Sequence, residues 1–541
     1  MLMSVRRSVL LGSLALAVAL PAAARADVPV GASARGTPIA ADAGYAVWRA
    51  DDGHLVVRAG NGGARETRLK PPASARFDVG TRRGGGGAQV AWAESCSTRA
   101  RTCVVRSAVL RPAGALSATA VAHIPYRGGG SPALAVDGSR LAYAVRDGKC
   151  DVPYVRTLLS GGARKLDRGH CATIAQLDLT AAYVAVLARP DARHSEARAI
   201  RTSGGASRTL QAESEGEESN FIGSVALDAG ELYTARGGIR QANVFTRFSL
   251  RTHRRDDARA FVNLQGAFAR DRGRNYYAQA TGYESTEDCG CLIVAGDDPF
   301  GAPTRTLTPA LSLTVAPQPV FVDTAAAAVA TLTRQTVSKT AVVSTAPVAG
   351  VPVELYAYTA TDLRVSPQPA PQPTGLTATT GADGTATIAL PGPAAPFRFL
   401  AASTRPAAGG VPIPTAQSVY LQTYAHMTAT TTRLADGHLR VTGTISPALP
   451  GRKVRLDRKE RRICNNVATT PGSVRQPAQT GVPAGCFDAY TQDPVTTAPV
   501  SAGGASYTID VNAPAGTYVV SLDFAGGANV FPGQSLPVDA R

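Results

Sequence analysis

Leu141-Ala-Tyr-Ala144, followed by the turn Asp147-Gly-Lys-Cys150, is the stretch whose reading decides the fold. A short strand of alternating apolar character meets a turn that needs Gly, and the pattern recurs. Its relatives are Tyr45-Ala-Val-Trp48, Val90-Ala-Trp-Ala93, Val184-Ala-Val-Leu187, Leu232-Tyr-Thr-Ala235 and Tyr276-Tyr-Ala-Gln279. Their first residues are 45, 51, 43, 48 and 44 positions apart along the chain. A period in the mid-forties filled with short strands and turns is the signature of a propeller blade of four strands. One such sheet cannot bury both of its faces, so the folding unit is a ring of them. The spacing predicts six repeats, near 30–70, 71–127, 128–169, 170–215, 216–259 and 260–308.

The rest of the chain holds a duplication. Gly350-Val-Pro-Val-Glu-Leu355 matches Gly451-Arg-Lys-Val-Arg-Leu456 at an offset of 101. Gly384-Thr-Ala-Thr-Ile-Ala-Leu390 matches Ala505-Ser-Tyr-Thr-Ile-Asp-Val511, and Phe397-Arg-Phe-Leu400 matches Tyr518-Val-Val-Ser521, both at 121. The offset grows across the interval holding Cys464 and Cys486, so the second copy carries an inserted loop at 464–486. In that copy Leu439, Val441 and Ile445 alternate with polar or small residues, as do Tyr507, Ile509 and Val511. That period of two fits antiparallel sheets with one wet face. About 110 residues per copy fit an immunoglobulin-like sandwich. The expected fold is all-β: a signal peptide at 1–26, a β-propeller at 27–310 with six blades favoured, and two Ig-like β-sandwiches at 311–425 and 426–541.

The repeats resemble the six-bladed TolB-like propellers of exported bacterial proteins. Gly381-Ala-Asp-Gly384-Thr-Ala-Thr-Ile388 with its upstream partner, and Gly443-Thr-Ile-Ser-Pro447 before Gly451, are similar to bacterial Ig-like and transthyretin-like modules. Those modules serve mostly as spacers, adhesion units or carbohydrate-associated appendages. They share no catalytic residues that could be carried over, so the resemblance implies fold and setting.

Residues 1–26 read as an export signal. Arg6 and Arg7 precede an apolar run from Ser8 to Leu20, and Ala24-Arg25-Ala26 offers small residues where a signal peptidase reads. The run is too short to span a bilayer. The Sec route is favoured, and Arg6-Arg7 leaves the twin-arginine route as the alternative. No later segment is apolar enough for a membrane helix, so the protein is expected to be secreted or extracytoplasmic. Eight cysteines beside an export signal read as disulfides in four couples: Cys96 with Cys103, Cys150 with Cys171, Cys289 with Cys291, and Cys464 with Cys486. The first would clamp a hairpin and the second would staple neighbouring blades. Cys289-Gly-Cys291 closes so small a ring that redox exchange or metal chelation stands as the other reading.

The formal charge is +16, carried mostly by arginine. Nucleic acid is not the expected partner, because the arginines do not alternate with an aromatic stacking platform. Scattered arginine on solvated faces is the plainer account. The densest stretch is Arg452, Lys453, Arg455, Arg458, Lys459, Arg461 and Arg462, a candidate docking patch for an anionic cell-wall polymer. The competing account is a charged strand edge that discourages aggregation.

The search for chemistry is mostly negative. The seven histidines show no metal-ligand spacing, and no Gly-x-Ser-x-Gly elbow is present. Gly84-Gly-Gly-Gly87 lacks the Lys-Ser/Thr of a phosphate loop. The acidic run from Glu213 to Glu218 lacks the fixed spacing of a calcium loop. A glycosidase needs only two facing carboxylates, and Asp178, Asp228, Glu231 and Asp271 lie near expected strands. The leading expectation is a non-enzymatic binding, adhesion or envelope-associated protein without cofactor, whose partner is an unidentified protein or glycan. A carbohydrate-active enzyme with an axial carboxylate pair, and a structural envelope component without ligand, are the alternatives.

Overall fold

The computed structural model describes all residues except 1–25, 34–37, 159–161, 168–170, 206, 215–220, 238–242, 281–290, 318–319, 323, 359–370, 392–396, 407–409, 416–417, 465–485, 491–493, 523–532, 534, 536 and 541. The described elements are all strands. Residues 28–296 form six small antiparallel sheets.

Sheet 1 consists of Ala40–Asp42, Tyr45–Arg49, Leu55–Ala59 and Ala64–Glu66. Sheet 2 consists of Phe77–Thr81, Ala88–Ser97, Thr102–Arg111 and Thr119–Pro125, with Gly114–Ala115 beside the third strand. Sheet 3 runs Leu134–Asp137, Arg140–Asp147, Cys150–Thr157 and Arg164–Lys165. Sheet 4 runs Thr173–Leu179, Tyr183–Asp191, His194–Arg201 and Arg208–Ser214. Sheet 5 runs Phe221–Asp228, Glu231–Gly237, Val244–Ser249 and Arg255–Arg259. Sheet 6 runs Leu264–Asp271, Arg274–Ala280 and Cys291–Gly296, and its outermost strand is Val28–Ser33.

The first strand of each sheet packs against the first strand of the next, and sheet 6 returns to sheet 1. The first strands therefore surround an axis, and the array is a closed β-propeller. Six apolar clusters fill the six gaps between neighbours. Val47 and Val57 meet Phe77, Val90 and Trp92 between sheets 1 and 2. Tyr276 and Ile293 meet Ala46 and Trp48 between sheets 6 and 1. Each recurrent motif of the sequence is the second strand of its sheet, and its burial explains its composition. Val47 faces one neighbour while Ala46 and Trp48 face the other, so both faces are covered. Burying each large apolar side chain contributes roughly 1.5–3 kcal/mol, and only the neighbouring sheet makes that burial available.

One repeat boundary differs from the sequence reading. Residues 28–33 belong to sheet 6, whose other strands lie between 264 and 296, and not to the first repeat. A ring built only of consecutive strands would leave its seam held by side chains alone. Lending the first strand to the last sheet joins the seam with backbone hydrogen bonds. Trp48 fixes the closing strand, its Nε1 donating to the Ala32 carbonyl at 3.0 Å. Gly31 is required there: a Cβ would lie 2.5 Å from Trp48 Cζ2. Asp27, just ahead of the strand, is 2 % exposed. It accepts from Tyr277 Oη at 2.7 Å and from Arg305 Nη1 at 3.3 Å, and its amide donates to the Thr306 carbonyl at 2.7 Å. Burial raises the Asp27 pKa even with Arg305 alongside.

The two local disulfides fall as expected. Cys96–Cys103 clamps the hairpin of sheet 2, and Cys150–Cys171 joins sheet 3 to the entry of sheet 4. Cys291 is disulfide-bonded, while Cys289 lies outside the described residues.

Two further units follow, each with two sheets closing on one core. In the first, Ala310–Ala316, Ala326–Val337, Val342–Pro347 and Thr385–Leu390 face Pro352–Ala357, Gln372–Thr379, Phe397–Thr404 and Val419–Tyr424. Leu313 and Leu332 from one sheet meet Val353, Leu355 and Leu400 from the other. In the second, Thr430–Arg433, Leu439–Ser446 and Ser506–Val511 face Lys453–Cys464, Thr496–Pro499, Gly516–Leu522 and Val538–Ala540, around Val441, Val454, Leu456, Ile509 and Val520. The duplicated segments pair alike. Thr385–Leu390 pairs with Ala326–Val337 as Ser506–Val511 pairs with Leu439–Ser446. Pro352–Ala357 pairs with Phe397–Thr404 as Lys453–Cys464 pairs with Gly516–Leu522. Cys464 faces Cys486 in register at the foot of the insertion, and 465–485 lie outside the described residues. The first sandwich touches sheet 5 of the propeller: Lys339 Nζ is 2.8 Å from Asp256 Oδ2, and the Arg259 amide donates to the Lys339 carbonyl at 2.8 Å.

Candidate functional site

The propeller axis has two chemically opposite ends. Where the first strands finish, aspartates gather. Asp42, Asp137, Asp228 and Asp271 each end a first strand, and Asp78 and Asp178 lie further back along theirs. Each hairpin turn that follows Asp42, Asp228 and Asp271 has the form Asp-x-Gly, with positive φ at the glycine.

These carboxylates join neighbouring sheets. Asp78 Oδ2 accepts from the Val136 amide at 2.8 Å, linking sheets 2 and 3. Asp178 accepts from the Leu227 amide at 2.6 Å, linking sheets 4 and 5, and also from its own neighbour Leu179 at 2.7 Å. Asp228 accepts from the Gly273 amide at 2.9 Å and Arg270 Nε at 3.1 Å, linking sheets 5 and 6. Asp271 accepts from the Gly44 amide at 2.7 Å, linking sheet 6 back to sheet 1. Thr81 Oγ1 donates to Asp137 between sheets 2 and 3. Glu231 points elsewhere, accepting from Tyr233 Oη at 2.5 Å.

Crowding perturbs this end. Burial, with help from Asp42 and Asp137, lifts Asp178 to about 7 against the pull of its two amide donors. Burial lifts Asp42 to about 6, with Asp271 and Asp137 adding to it. Asp78 and Asp271 are raised for the same reason. The buried cation at this end is Arg270, 4 % exposed, which holds Asp228, Asn275 and Asp298 and lies 4.0 Å over the Tyr233 ring.

At the other end, where the first strands begin, arginines gather. A cavity of about 50 Å³ opens over sheet 3, between the entries of sheets 2 and 4. Arg76, the loop Gly128-Gly129-Gly130-Ser131, Arg127, Arg146 and Asp151 line it. Two of these arginines are engaged. Arg146 Nε is 2.8 Å from Asp151 Oδ1, and Arg127 Nη1 is 3.1 Å from Asp147 Oδ1. Asp151 also accepts from the Ile174 amide at 2.8 Å. Arg76 has no hydrogen-bonded or ion-paired partner among the described residues. Its side chain is exposed, and partial desolvation by the surrounding protein, with the charge of Arg189, lowers its pKa against the weaker pull of Asp151. Arg189, at the rim of sheet 4, likewise has no carboxylate partner among the described residues; its guanidinium lies 6.0 Å over the Phe221 ring. Ser131 Oγ is buried and makes no hydrogen bond. The three glycines have φ of +94°, +93° and +87°, and a Cβ at Gly129 would lie 3.0 Å from Arg146 Nε. Bare backbone at Gly129 leaves the Arg146 guanidinium its place.

The basic stretch of the second sandwich is less available than its sequence suggests. Strand Lys453–Cys464 carries Lys453, Arg455, Arg458, Lys459, Arg461 and Arg462, with Arg452 just ahead. Arg455 is closed on Asp457, its Nη2 at 2.7 Å, and Asp457 is only 5 % exposed. Arg458 Nη2 reaches the Ala515 carbonyl at 3.4 Å. Lys453 is exposed, and the side chains of Arg461 and Arg462 lie outside the described residues. Asp52, His54 and Glu66 also stand together on the surface, with His54 Nδ1 2.8 Å from Asp52. Lys70 contributes positive charge to that group, which weakens it as a cation site. The arginine rim escaped the sequence reading because its members come from three repeats. The run Gly128-Gly129-Gly130-Ser131 at the entry of the third repeat is the signal that marks it.

Neither family models nor curated proteins give a match to this chain. Solved structures do. The Swd1 β-propeller domain from Myceliophteria thermophila is 8 % identical with a TM-score of 0.30, over 50 % of this chain and 98 % of that one. A putative TolB from Agrobacterium tumefaciens is 8 % identical with a TM-score of 0.31, over 50 % of this chain and 96 % of that one. A puromycin hydrolase is 16 % identical with a TM-score of 0.32, over 58 % of this chain and 53 % of that one. Likeness at this level says nothing of function, and the propeller assignment rests on the strand pairing and closure above.

Proposed function

We propose that this chain is an exported, non-enzymatic recognition protein. A six-bladed propeller of the Tol type presents the recognition surface, and two Ig-like sandwiches space or anchor it. One observation carries this reading. The axial carboxylates a glycosidase would need are engaged by amides of neighbouring sheets, whereas the opposite rim offers a cavity with uncommitted polar groups. Disulfides within the propeller support an oxidising compartment. The short axial turns leave loop variation to the other rim, where a rigid ring can display it.

The test uses the full exported chain. It is expected to bind isolated bacterial envelope material and to release no reducing sugar from polysaccharides or aryl glycosides. Turnover that disappears in Asp178→Asn would replace this reading with that of a carbohydrate-active enzyme. Absence of both binding and turnover would leave the structural envelope component.

A further inference from the structure

We infer that the chain is cut between Ala26 and Asp27, and that the α-ammonium so released is built into the ring seam beside the buried Asp27 carboxylate and the Arg305 guanidinium. The inference deepens the export reading and rests on it. Ala24 and Ala26 are the small residues a signal peptidase reads. A residue that follows a leader cut ordinarily begins a loose terminus. Asp27 is the opposite: its side chain is fully buried, and that of Arg305 is 4 % exposed. Asp27 Oδ2 accepts from Tyr277 Oη at 2.7 Å and from Arg305 Nη1 at 3.3 Å, and Oδ1 accepts from the Asp297 amide at 3.1 Å. Gly296 leaves room for this carboxylate, since a Cβ there would lie 2.8 Å from Oδ1. Ala26 bridges Thr306, and the Asp27 nitrogen donates to the Thr306 carbonyl at 2.7 Å. Arg305 and Thr306 in turn pair with Val337 and Thr336 of the first sandwich. The residue after the cut therefore sits where the ring closes and where the sandwich joins it.

The cut is a hydrolysis. Water adds across the Ala26–Asp27 peptide bond, and Ala26 leaves with the new carboxylate. The Asp27 nitrogen becomes an amine, which holds a proton below its ordinary pKa of about 8. One N–H keeps the Thr306 carbonyl, and the new charge falls beside the carboxylate of the same residue. That setting is short of positive charge. Burial lifts the Asp27 pKa, Arg305 and Tyr277 oppose the rise, and Asp297 adds to it. The titratable groups around the amine are therefore Asp27, Asp297, Tyr277 and Arg305. The two acids favour its proton, Arg305 opposes it, and Tyr277 is neutral while it donates to Asp27. A buried carboxylate is stabilised when cations and donors close around it, and the cut supplies one more of each.

Two chains test it: the exported chain, and one with Gly-Ser inserted between Ala26 and Asp27, so that the same cut leaves the charge two residues away. Mass spectrometry should place the first residue of the exported chain at Asp27. Urea unfolding followed by tryptophan fluorescence then reports the propeller, because Trp48 and Trp92 are the chain's two tryptophans. Near pH 6.5 the chain that starts at Asp27 should have an unfolding constant about tenfold smaller than the inserted chain, as a buried hydrogen bond to a charged group would give. A raised amine pKa adds stability below the unfolded value and loses it as pH rises through the folded one, so the advantage should fade towards about pH 10. Asp27→Asn in both chains removes the partner and should bring them within about twofold at either pH. Should the inserted chain fail to fold, the exported chain and its Asp27→Asn variant decide: the parent must lose more stability between the two pH values than the variant. The inference is overturned if the two chains unfold alike near pH 6.5, or if their difference survives unchanged in Asp27→Asn, as it would if the insertion merely crowded the seam. A chain that is exported but begins at another residue overturns the inference and leaves the export reading standing. A chain that never leaves the cytoplasm defeats the export reading itself, and this inference with it.

Discussion

The two ends of the propeller axis are both rich in charge, and they differ in what the charge is doing. At the acidic end, Asp78, Asp178, Asp228 and Asp271 each accept a backbone amide from the next sheet. The charge is an architectural device there, a set of fasteners between units that would otherwise be joined only by apolar packing. At the basic rim, Arg76 has no hydrogen-bonded or ion-paired partner among the described residues, Arg189 reaches the Phe221 ring of sheet 5, and Ser131 Oγ makes no hydrogen bond. The difference teaches that a cluster of one sign is not a site until the hydrogen-bond account of each member has been closed. By that measure the carboxylates of the acidic end are committed to joining neighbouring sheets, and the opposite rim keeps polar groups without a protein partner among the described residues.

The largest expected effect is at the acidic end. Arg270→Ala should destabilise the chain by about 3–5 kcal/mol, because it leaves Asp228 and Asp298 without their cation in a partly buried setting. Urea unfolding measures it, and a loss below about 1 kcal/mol would mean that this end is not the fastening the geometry describes. Closure of the ring, on which both ends depend, is next. Gly31→Ala places a methyl against Trp48 and should cost about 1–3 kcal/mol. An unchanged midpoint would show that the first strand does not hold the seam.

The pH response sharpens the same contrast. Asp42 and Asp178 have folded pKa values of about 6 and about 7, above the ordinary 3.8 of the unfolded chain. Between those values the folded state binds more protons than the unfolded state. Stability is therefore greatest near pH 4 and declines as pH rises through about 7, by about 1.4 kcal/mol for every tenfold by which folding tightens each carboxyl's hold on its proton. The groups with lowered values, Asp52, Asp191, Asp256, Asp383 and Asp510, act in the opposite sense, below pH 4. Thermal midpoints at pH 5 and pH 8 test this. Asp178→Asn, which cannot ionise, should narrow the gap between them, and a parent protein more stable at pH 8 than at pH 5 contradicts it.

Much of this architecture was legible in the sequence because it is repetitive. The second strand of each sheet is buried on both faces, so Trp48, Trp92 and Tyr143 recur at intervals of 44 and 51 residues and announce the ring. The duplicated sandwiches were legible for the same reason: strands that pair alike carry matching apolar positions. What the sequence concealed is what comes from outside the repeat. Val28–Ser33 reads as part of the first unit, and only the geometry of closure sends it to the last. Asp178, Asp228 and Asp271 could be picked out as acids, but sequence does not reveal that an amide of the next sheet meets each of them. The rim was hidden further, because Arg76, Ser131 and Arg189 come from three repeats and share no spacing.

The smallest expected effect is the one that separates the two ends most directly. Arg76→Ala and Arg189→Ala should each change unfolding stability by no more than about 0.5 kcal/mol, since both side chains are exposed and Arg189 adds only a distant contact with the Phe221 ring. The double variant should be neutral or slightly more stable, because it removes one cation from the field of another. Urea unfolding measures both variants beside Arg270→Ala, and a loss as large as that of Arg270→Ala would show that the rim arginines are fastenings too.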